Sequence, residues 1–339
     1  MKVLIVKLSS LGDVVHTLPV VQDMLAAFPG AQIDWALEPS FAPVLTPVQG
    51  LNRVIPCALR RWRKSFWTAV TRAEWQVFKA DLRRDAYDAV LDLQGLTKSA
   101  VVARMARLQP GGRRYAMAHG TEGSGYEAPT RWVADMAIAL PLHIHAVARG
   151  RALAAGALGY THAAAADFGL NQSLALKNLC SEAINNEANT APPCVALVHG
   201  TSRADKEWPL AHWVALGQRI EAAGGRVALA HGSATELTTS QAIAAQLRRA
   251  VVWPLLPLDG LTAALAACCG VVGVDSGVSH IAVALGLQHV QIYNFDTAWR
   301  TGPDPVTSQG RQVSVFAQPT PSVDAVWQAW VTSTPTRVA

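Results

Sequence analysis

Residues 2–21 read KVLIVKLSSLGDVVHTLPVV. The apolar run Val3 to Val6 suits a strand buried on both faces of a parallel sheet. Leu8 to Gly12 makes a turn, and Asp13 can cap the helix that follows, whose apolar side carries Val14, Val15, Leu18 and Val21. Strand, turn and helix in that order recur along the chain. Further strand-like runs lie at 33–37, 89–93, 195–198, 227–230, 271–274 and 289–293. Helical patterns separate them at 67–82, 96–106, 210–223, 235–248, 261–267 and 279–285. The alternation predicts an α/β protein built on parallel sheets with right-handed crossovers.

A chain of 339 residues exceeds the roughly 250–300 that one core serves, so two domains are expected. Asn171, Asn185, Asn186, Asn189, Pro192 and Pro193 crowd the middle, placing the domains at 1–170 and 171–339. Two doubly wound, Rossmann-like domains would face one another across a cleft between the carboxyl ends of their strands, where ligands bind. The last helical pattern, 323–330, has no strand partner in sequence and is expected to pack across the joint.

Hydrophobic residues make up 50% and charged residues 16%, against about 25% charged in typical domains. This excludes a disordered or coiled-coil chain. No apolar stretch approaches the roughly 20 residues of a spanning helix, and the apolar run after Lys2 is too short for a secretory signal. Five cysteines without a CxxC pair argue against disulfide or zinc frameworks and fit a reduced, cytoplasmic setting. Residues 1–170 carry 19 basic against 13 acidic side chains. The segment 60–84 alone holds 8 basic and 2 acidic residues, interleaved with Trp62, Phe66, Trp67 and Trp75, so it holds the whole excess. Such a segment seeks an anionic partner such as phosphate, a carboxylate sugar, a lipid headgroup or nucleic acid; the bland alternative is a solvated helix face.

Three strand-ending turns carry chemistry. In the first, Asp13 stands at a helix N-terminus, where it can act as cap or base; spacing alone favours the cap. The second, HGTSRADKEWP at 199–209, offers Thr201, Ser202 and Lys206 to a diphosphate, or is an ordinary polar loop. In the third, GVDSGVSH at 273–280, Ser276 and Gly277 permit close approach of a phosphate and Asp275 faces the ligand side, while His280 also reads as a buried structural histidine. GLTKS at 95–99 imitates the end of a phosphate loop but lacks its glycines, and no GxGxxG follows a strand, which disfavours a nicotinamide epimerase or dehydrogenase. No metal site is expected: His143 and His145 lack a third ligand.

Together with IDWALE from Ile33, RRWRK from Arg60, YDAVLDLQGLTKSA from Tyr87 and HAVARGRAL from His145, these turns resemble the lipopolysaccharide heptosyltransferases, glycosyltransferase family 9, in order over residues 1–300. The opening motif and RRWRK favour the members that add the first inner-core heptose over those that add the second. The resemblance implies the GT-B fold and inverting transfer of heptose from ADP-L-glycero-β-D-manno-heptose to the Kdo of Kdo-lipid A. It also implies work at the cytoplasmic face of the inner membrane, with an anionic membrane surface as partner. ADP-heptose would be a co-substrate, with no cofactor, no metal and no nucleic acid. By the same resemblance Asp13 is the catalytic base and Lys206 meets the departing diphosphate beside Thr201 and Ser202. Glu236 takes the ribose and Leu256 the adenine. Asp275 contacts heptose, Ser276 and Gly277 lie near the phosphates, and His280 stands beside them. Ser10, Gly12, Arg60, Arg61, Arg63 and Lys64 bind acceptor. The chain departs from the family pattern at Ala116 to Thr130, with Glu122, Tyr126 and Glu127, and at Asn294, where the family has a Gly-containing turn. A non-catalytic binder of anionic lipid is the alternative from another class.

Overall fold

The computed structural model describes residues 1–170, 193–304 and 307–333. It divides into two compact units, Met1–Gly169 and Leu170–Ala339. Most of the expected linker, including Asn171, Asn185, Asn186, Asn189 and Pro192, lies outside the described residues.

The first unit runs β1 (Lys2–Val6), α1 (Leu11–Ala27), β2 (Gln32–Leu37), β3 (Leu51–Pro56), α2 (Leu59–Trp62), α3 (Ala69–Leu82), β4 (Ala86–Asp92), α4 (Thr97–Met105), β5 (Arg107–Met117), α5 (Pro129–Val133), β6 (Met136–Ile138) and α6 (Ala146–Leu158). Its six strands pair in the order β3-β2-β1-β4-β5-β6, parallel throughout. The second unit runs β7 (Cys194–Val198), α7 (Leu210–Ala222), β8 (Arg226–Leu229), α8 (Ala234–Ala244), β9 (Ala250–Val252), α9 (Leu258–Ala266), β10 (Gly270–Val274), α10 (Gly277–Ala284), β11 (Gln288–Tyr293), α11 (Ala298–Thr301), β12 (Gln312–Phe316) and α12 (Val323–Ser333). Its strands are also all parallel, in the order β12-β11-β10-β7-β8-β9. In each sheet the strand order reverses once, between β1 and β4 and between β7 and β10, and ligands of such sheets bind outside those strand ends.

The central strands match the apolar runs of the sequence. Five strands do not: β3, β5, β6, β9 and β12. Four of these are sheet edges and partly exposed: in β3 and β12 polar residues interrupt the apolar ones, and β6 and β9 are apolar but only three residues long. The fifth, β5, hides behind RLQPGGRRYAM and pairs with β4 in two stretches, with the register shifting between Tyr87 and Ala89. At the shift a Cβ on Gly112 would lie 2.5 Å from the Tyr87 carbonyl oxygen, so only glycine fits.

The first core joins Leu4, Val6, Ile55 and Val90 of the sheet to Trp62, Phe78 and Leu82. Two aromatics of the basic segment are therefore structural: Trp62 is buried, with its ring centroid 5.5 Å from that of Trp75. Nor does the segment lack acidic partners, as the sequence suggested. Arg61 pairs with Glu74 at 2.6 Å, and Arg84 lies 3.4 Å from Asp85 and 3.8 Å from Asp81. Arg53 on β3 locks this side: it binds Asp34 of β2 at 2.6 Å and Asp81 at the end of α3 at 2.5 Å. The second core gathers Val195, Leu197, Val227, Val272 and Val290 with Trp208 and Trp213.

The closing helix corrects an expectation. Far from lacking a sheet of its own, α12 inserts Val326 and Trp330 into the second core. The Trp330 ring lies against Gly270, where a Cβ would come within 2.6 Å of it, and the Gln288 amide donates to the Trp330 carbonyl at 2.8 Å. Trp330→Ala should cost about 3–5 kcal/mol in equilibrium denaturation, the usual range for a buried aromatic. A loss below about 1 kcal/mol would contradict this packing.

Candidate active site

The turn after β1 is built around two N–H groups that parallel pairing leaves over. Leu8 and Ser9 both donate to Gln94 Oε1 at 3.0 Å. Gln94 follows β4, and its own turn is held by Asp92, which accepts from the Gln94 and Gly95 amides and the Ser99 hydroxyl. Burial pushes the Asp92 carboxyl up to about 6 against those hydrogen bonds. The turn delivers Asp13 to the first turn of α1, where its Oδ2 accepts from the Ser10 amide at 2.9 Å and the Ser10 hydroxyl at 3.1 Å. Cap and base are therefore compatible. One oxygen serves the helix start, and the other lies 3.4 Å from Lys7 Nζ, with about a third of the side chain open to solvent.

Lys7 is buried and donates to the Leu93 carbonyl at 2.9 Å. Burial lowers its pKa, against the raising influence of Asp13. For Asp13, burial alone would raise the pKa. The charge of Lys7, the two Ser10 hydrogen bonds and the charge of Arg149 outweigh it and hold the carboxyl below its ordinary value. Asp13 is thus ionised throughout the neutral range. A pocket beside it is lined by Lys7, Asp13, His16, Thr17, Leu93 and Arg149, among others.

The basic run divides. Arg60 sits over the Phe41 ring at 5.8 Å, and its amide donates to Glu38 at 3.0 Å. Burial together with Arg60 and Arg63 lowers the pKa of Lys98, against Glu38 and Asp13, so these groups share one field. Lys64 is exposed, and Arg61 is turned to Glu74. Lys98 itself was set aside in the sequence as part of a false phosphate loop. In the fold it opens α4 and donates to Ser9 Oγ at 2.7 Å, bridging the Asp13 turn and the basic run. Lys7, Gln94, Lys98 and Arg149 are all site residues that motif spacing missed. The signal was present in KLSS, DLQGLTK and HAVARG, but pairing those motifs requires β1 beside β4. The divergent loop also finds a use: Glu127 accepts from the Thr97 amide at 2.7 Å and so caps the helix carrying Lys98. Tyr126 donates to the Ala118 carbonyl, and Glu122 pairs with His143.

In the second unit the predicted residues gather at the β7–β10 reversal. Lys206 Nζ donates to Asp275 Oδ2 at 2.5 Å, and His280 Nε2 stands 3.4 Å from Oδ1 of the same carboxylate. Burial would raise the Asp275 pKa. His280 and Lys206 overcome it and hold this carboxyl far below the usual range. Thr201 Oγ1 lies 3.5 Å from the Asp275 carbonyl. Ser276 caps α10, whose first residue is Gly277, so free backbone N–H groups begin beside the Lys206 ammonium. Glu236, in the first turn of α8, accepts from the Gly232 amide at 2.6 Å, and its carboxyl carbon would lie 2.7 Å from a Cβ on Gly200. Ser202, next to Thr201, is exposed, and Leu256 is half-buried on the loop after β9, two strands from β7. Asn294 is more than a changed turn. Its amide donates to the carbonyls of Asp205 at 3.0 Å and Glu207 at 2.9 Å, fixing the loop that presents Lys206, and its oxygen accepts from Thr320.

The family model of glycosyltransferase family 9 (heptosyltransferase) matches residues 75–328. The chain belongs to this family. It is therefore a glycosyltransferase of lipopolysaccharide biosynthesis. It is 37% identical over 300 residues to lipopolysaccharide heptosyltransferase 1 of Pseudomonas aeruginosa, covering 86% of this chain and 78% of that protein. The solved E. coli heptosyltransferase WaaC with ADP superposes with a TM-score of 0.84 at 31% identity, covering 98% of this chain and all of that one. The same enzyme with ADP-2-deoxy-2-fluoro heptose gives a TM-score of 0.79 at 32% identity, with 97% and 98% covered. These matches agree with the GT-B fold of two doubly wound sheets.

Two outcomes follow from this geometry. Replacing Lys7 by Gln should raise the Asp13 pKa, measured by carbon-detected NMR, because burial then acts with less opposition. The Asp13 pKa is depressed in the folded state, so its contribution to stability is present above the unfolded value of about 4 and is lost as pH falls through the folded one. The variant should lose part of that contribution and shift the acid limb of kcat upward. An unmoved Asp13 titration would refute the coupling. Asn294→Gly should free the 205–207 loop and raise the KM for the nucleotide-sugar roughly 3–15-fold, the worth of one or two hydrogen bonds, with the acceptor KM unchanged.

Proposed function

We propose that this protein moves L-glycero-D-manno-heptose from ADP-L-glycero-β-D-manno-heptose to the Kdo of Kdo-lipid A, with inversion at the anomeric carbon. The observation that carries this reading is the match, over nearly the whole chain, to a heptosyltransferase solved with an ADP-heptose analogue. The first unit is the acceptor-binding half and the second the donor-binding half.

Asp13 takes the proton of the acceptor hydroxyl as that oxygen attacks the anomeric carbon; one ionised carboxylate within hydrogen-bond reach suffices. Ser10 and Gly12 border the acceptor, and Lys7 keeps the base charged. Arg60, Arg63, Lys64 and Lys98 face the anionic groups of the acceptor, its Kdo carboxylate and lipid phosphates. Arg61 serves this role less, since Glu74 already engages it. The bond from the anomeric carbon to the β-phosphate oxygen breaks, and ADP departs with growing negative charge. Lys206, the hydroxyls of Thr201 and Ser202, and the amides of Ser276 and Gly277 at the start of α10 receive that charge. We assign no metal to the step. Asp275, held by Lys206 and His280, orients the heptose hydroxyls; Glu236 holds the ribose and Leu256 the adenine. The enzyme works peripherally on the cytoplasmic face of the inner membrane, where a lipid-borne acceptor resides. Among the described residues no helix is long and apolar enough to cross a membrane.

The deciding assay combines purified protein, ADP-heptose and Kdo-lipid A and reads the product mass. The expected product gains one heptose. Consumption only of an already heptosylated acceptor would overturn the acceptor assignment. Asp13→Asn should abolish turnover while ADP affinity stays within about twofold, because the base lies outside the nucleotide contacts. Lys206→Ala should lower kcat/KM roughly 100-fold or more, the cost of removing one charge-stabilising donor.

A further inference from the structure

The part of segment 60–84 from Phe66 onward has no role in the chemistry above. Its side chains are unusual for a solvent-facing surface. Trp67 is 89% exposed and Phe66 52%, their rings meeting edge-to-face at 5.8 Å. Just beyond them, α3 begins at a Thr68 cap and turns Thr71, Phe78 and Leu82 into the core. Its opposite face leaves Val70 65% and Val77 69% exposed, and Ala69, Ala73 and Ala80 lie open beside them. Positions 70, 73, 77 and 80 follow helical spacing, so these residues form one apolar stripe. Exposed Arg72 and Arg83 flank it. Among the described residues neither of these two cations makes an ion pair. Glu74 and Asp81, the acidic residues of α3, are turned aside to Arg61 and Arg53.

We propose that Phe66, Trp67 and the open face of α3 form a membrane-docking surface for an anionic bilayer, with the two rings in the headgroup layer and the flanking cations on lipid phosphates. A tryptophan with its polar N–H edge beside an apolar phenylalanine suits the interface, and cations suit its negative potential. A second copy of this chain fits the same face poorly, because a two-fold contact would set the unpaired Arg72 and Arg83 against their own copies. Nucleic acid would match the cations but leave the aliphatic stripe unsatisfied. The proposal rests on a lipid-borne acceptor as the reason for the surface, but docking itself requires no acceptor and is measured without it.

The full chain is floated with vesicles of phosphatidylethanolamine and phosphatidylglycerol, and with vesicles of phosphatidylcholine alone, neither containing acceptor. Binding should be strong on the first and weak on the second, and should fall with salt. Phe66→Ser with Trp67→Ser should lower the partition coefficient about tenfold or more, in line with losing two interfacial rings. Arg72→Gln with Arg83→Gln should lower it on anionic vesicles only. Turnover of a water-soluble, delipidated acceptor should be unchanged in both variants, which separates failed docking from a failed assignment of the reaction. Equal partition of wild type and the Phe66/Trp67 variant would overturn the proposal. So would indifference to lipid charge, self-association that disappears in that variant, or tighter binding of a single-stranded oligonucleotide than of anionic vesicles.

Discussion

Two main-chain N–H groups, those of Leu8 and Ser9, end on a single oxygen of Gln94, and the geometry of the Asp13 turn depends on that link. Where a parallel sheet reverses its order, the turns above the two central strands have no neighbouring strand to satisfy them, and buried backbone donors need partners. Gln94 supplies the acceptor, and Asp92 beneath it fixes where that acceptor stands. With the turn fixed, the Lys7 ammonium meets Leu93 and Asp13, Ser9 meets Lys98, and Ser10 meets Asp13. The ionised state of Asp13 is thus a consequence of strand order: β4 brings the groups that hold the β1 turn.

The second unit meets the same topological situation with charge. Asp275 is almost fully buried, and a buried carboxylate is costly unless it is paired. Lys206 and His280 both approach it, which keeps it ionised and holds the Lys206 side chain at the β10 turn. A diphosphate arriving at the start of α10 would find that ammonium already placed, with little reorganisation left to do. Asn294 contributes from the β11 side by pinning the backbone on either side of Lys206.

The basic segment is best understood as three parts with different partners. Arg61, Trp62, Trp75 and Glu74 belong to the protein's own packing. Arg60 and Arg63 act through the field they share with Lys98, within reach of the Asp13 turn. Phe66, Trp67 and the outer face of α3 look outward. A single count of charge over 60–84 merges all three, which is why it overstated how much of the segment awaits a ligand.

The sequence by itself determined the class of fold and marked the three strand-ending turns of the candidate sites. Buried parallel strands need continuous apolar runs, and turns at their ends need small and polar residues; both leave local patterns that survive in one dimension. It also carried Asp13, Lys206 and Asp275 through motif resemblance. Tertiary structure decided the rest, because the deciding forces act between residues far apart in sequence. The edge strands form only when a neighbour offers its hydrogen bonds, and α12 finds its place only because Gly270 leaves room for Trp330. Lys98 matters because β1 lies beside β4, and Arg61 is lost to Glu74 because α2 packs on α3. A charge in sequence has a sign; only the fold gives it a neighbour, and the neighbour settles what it does.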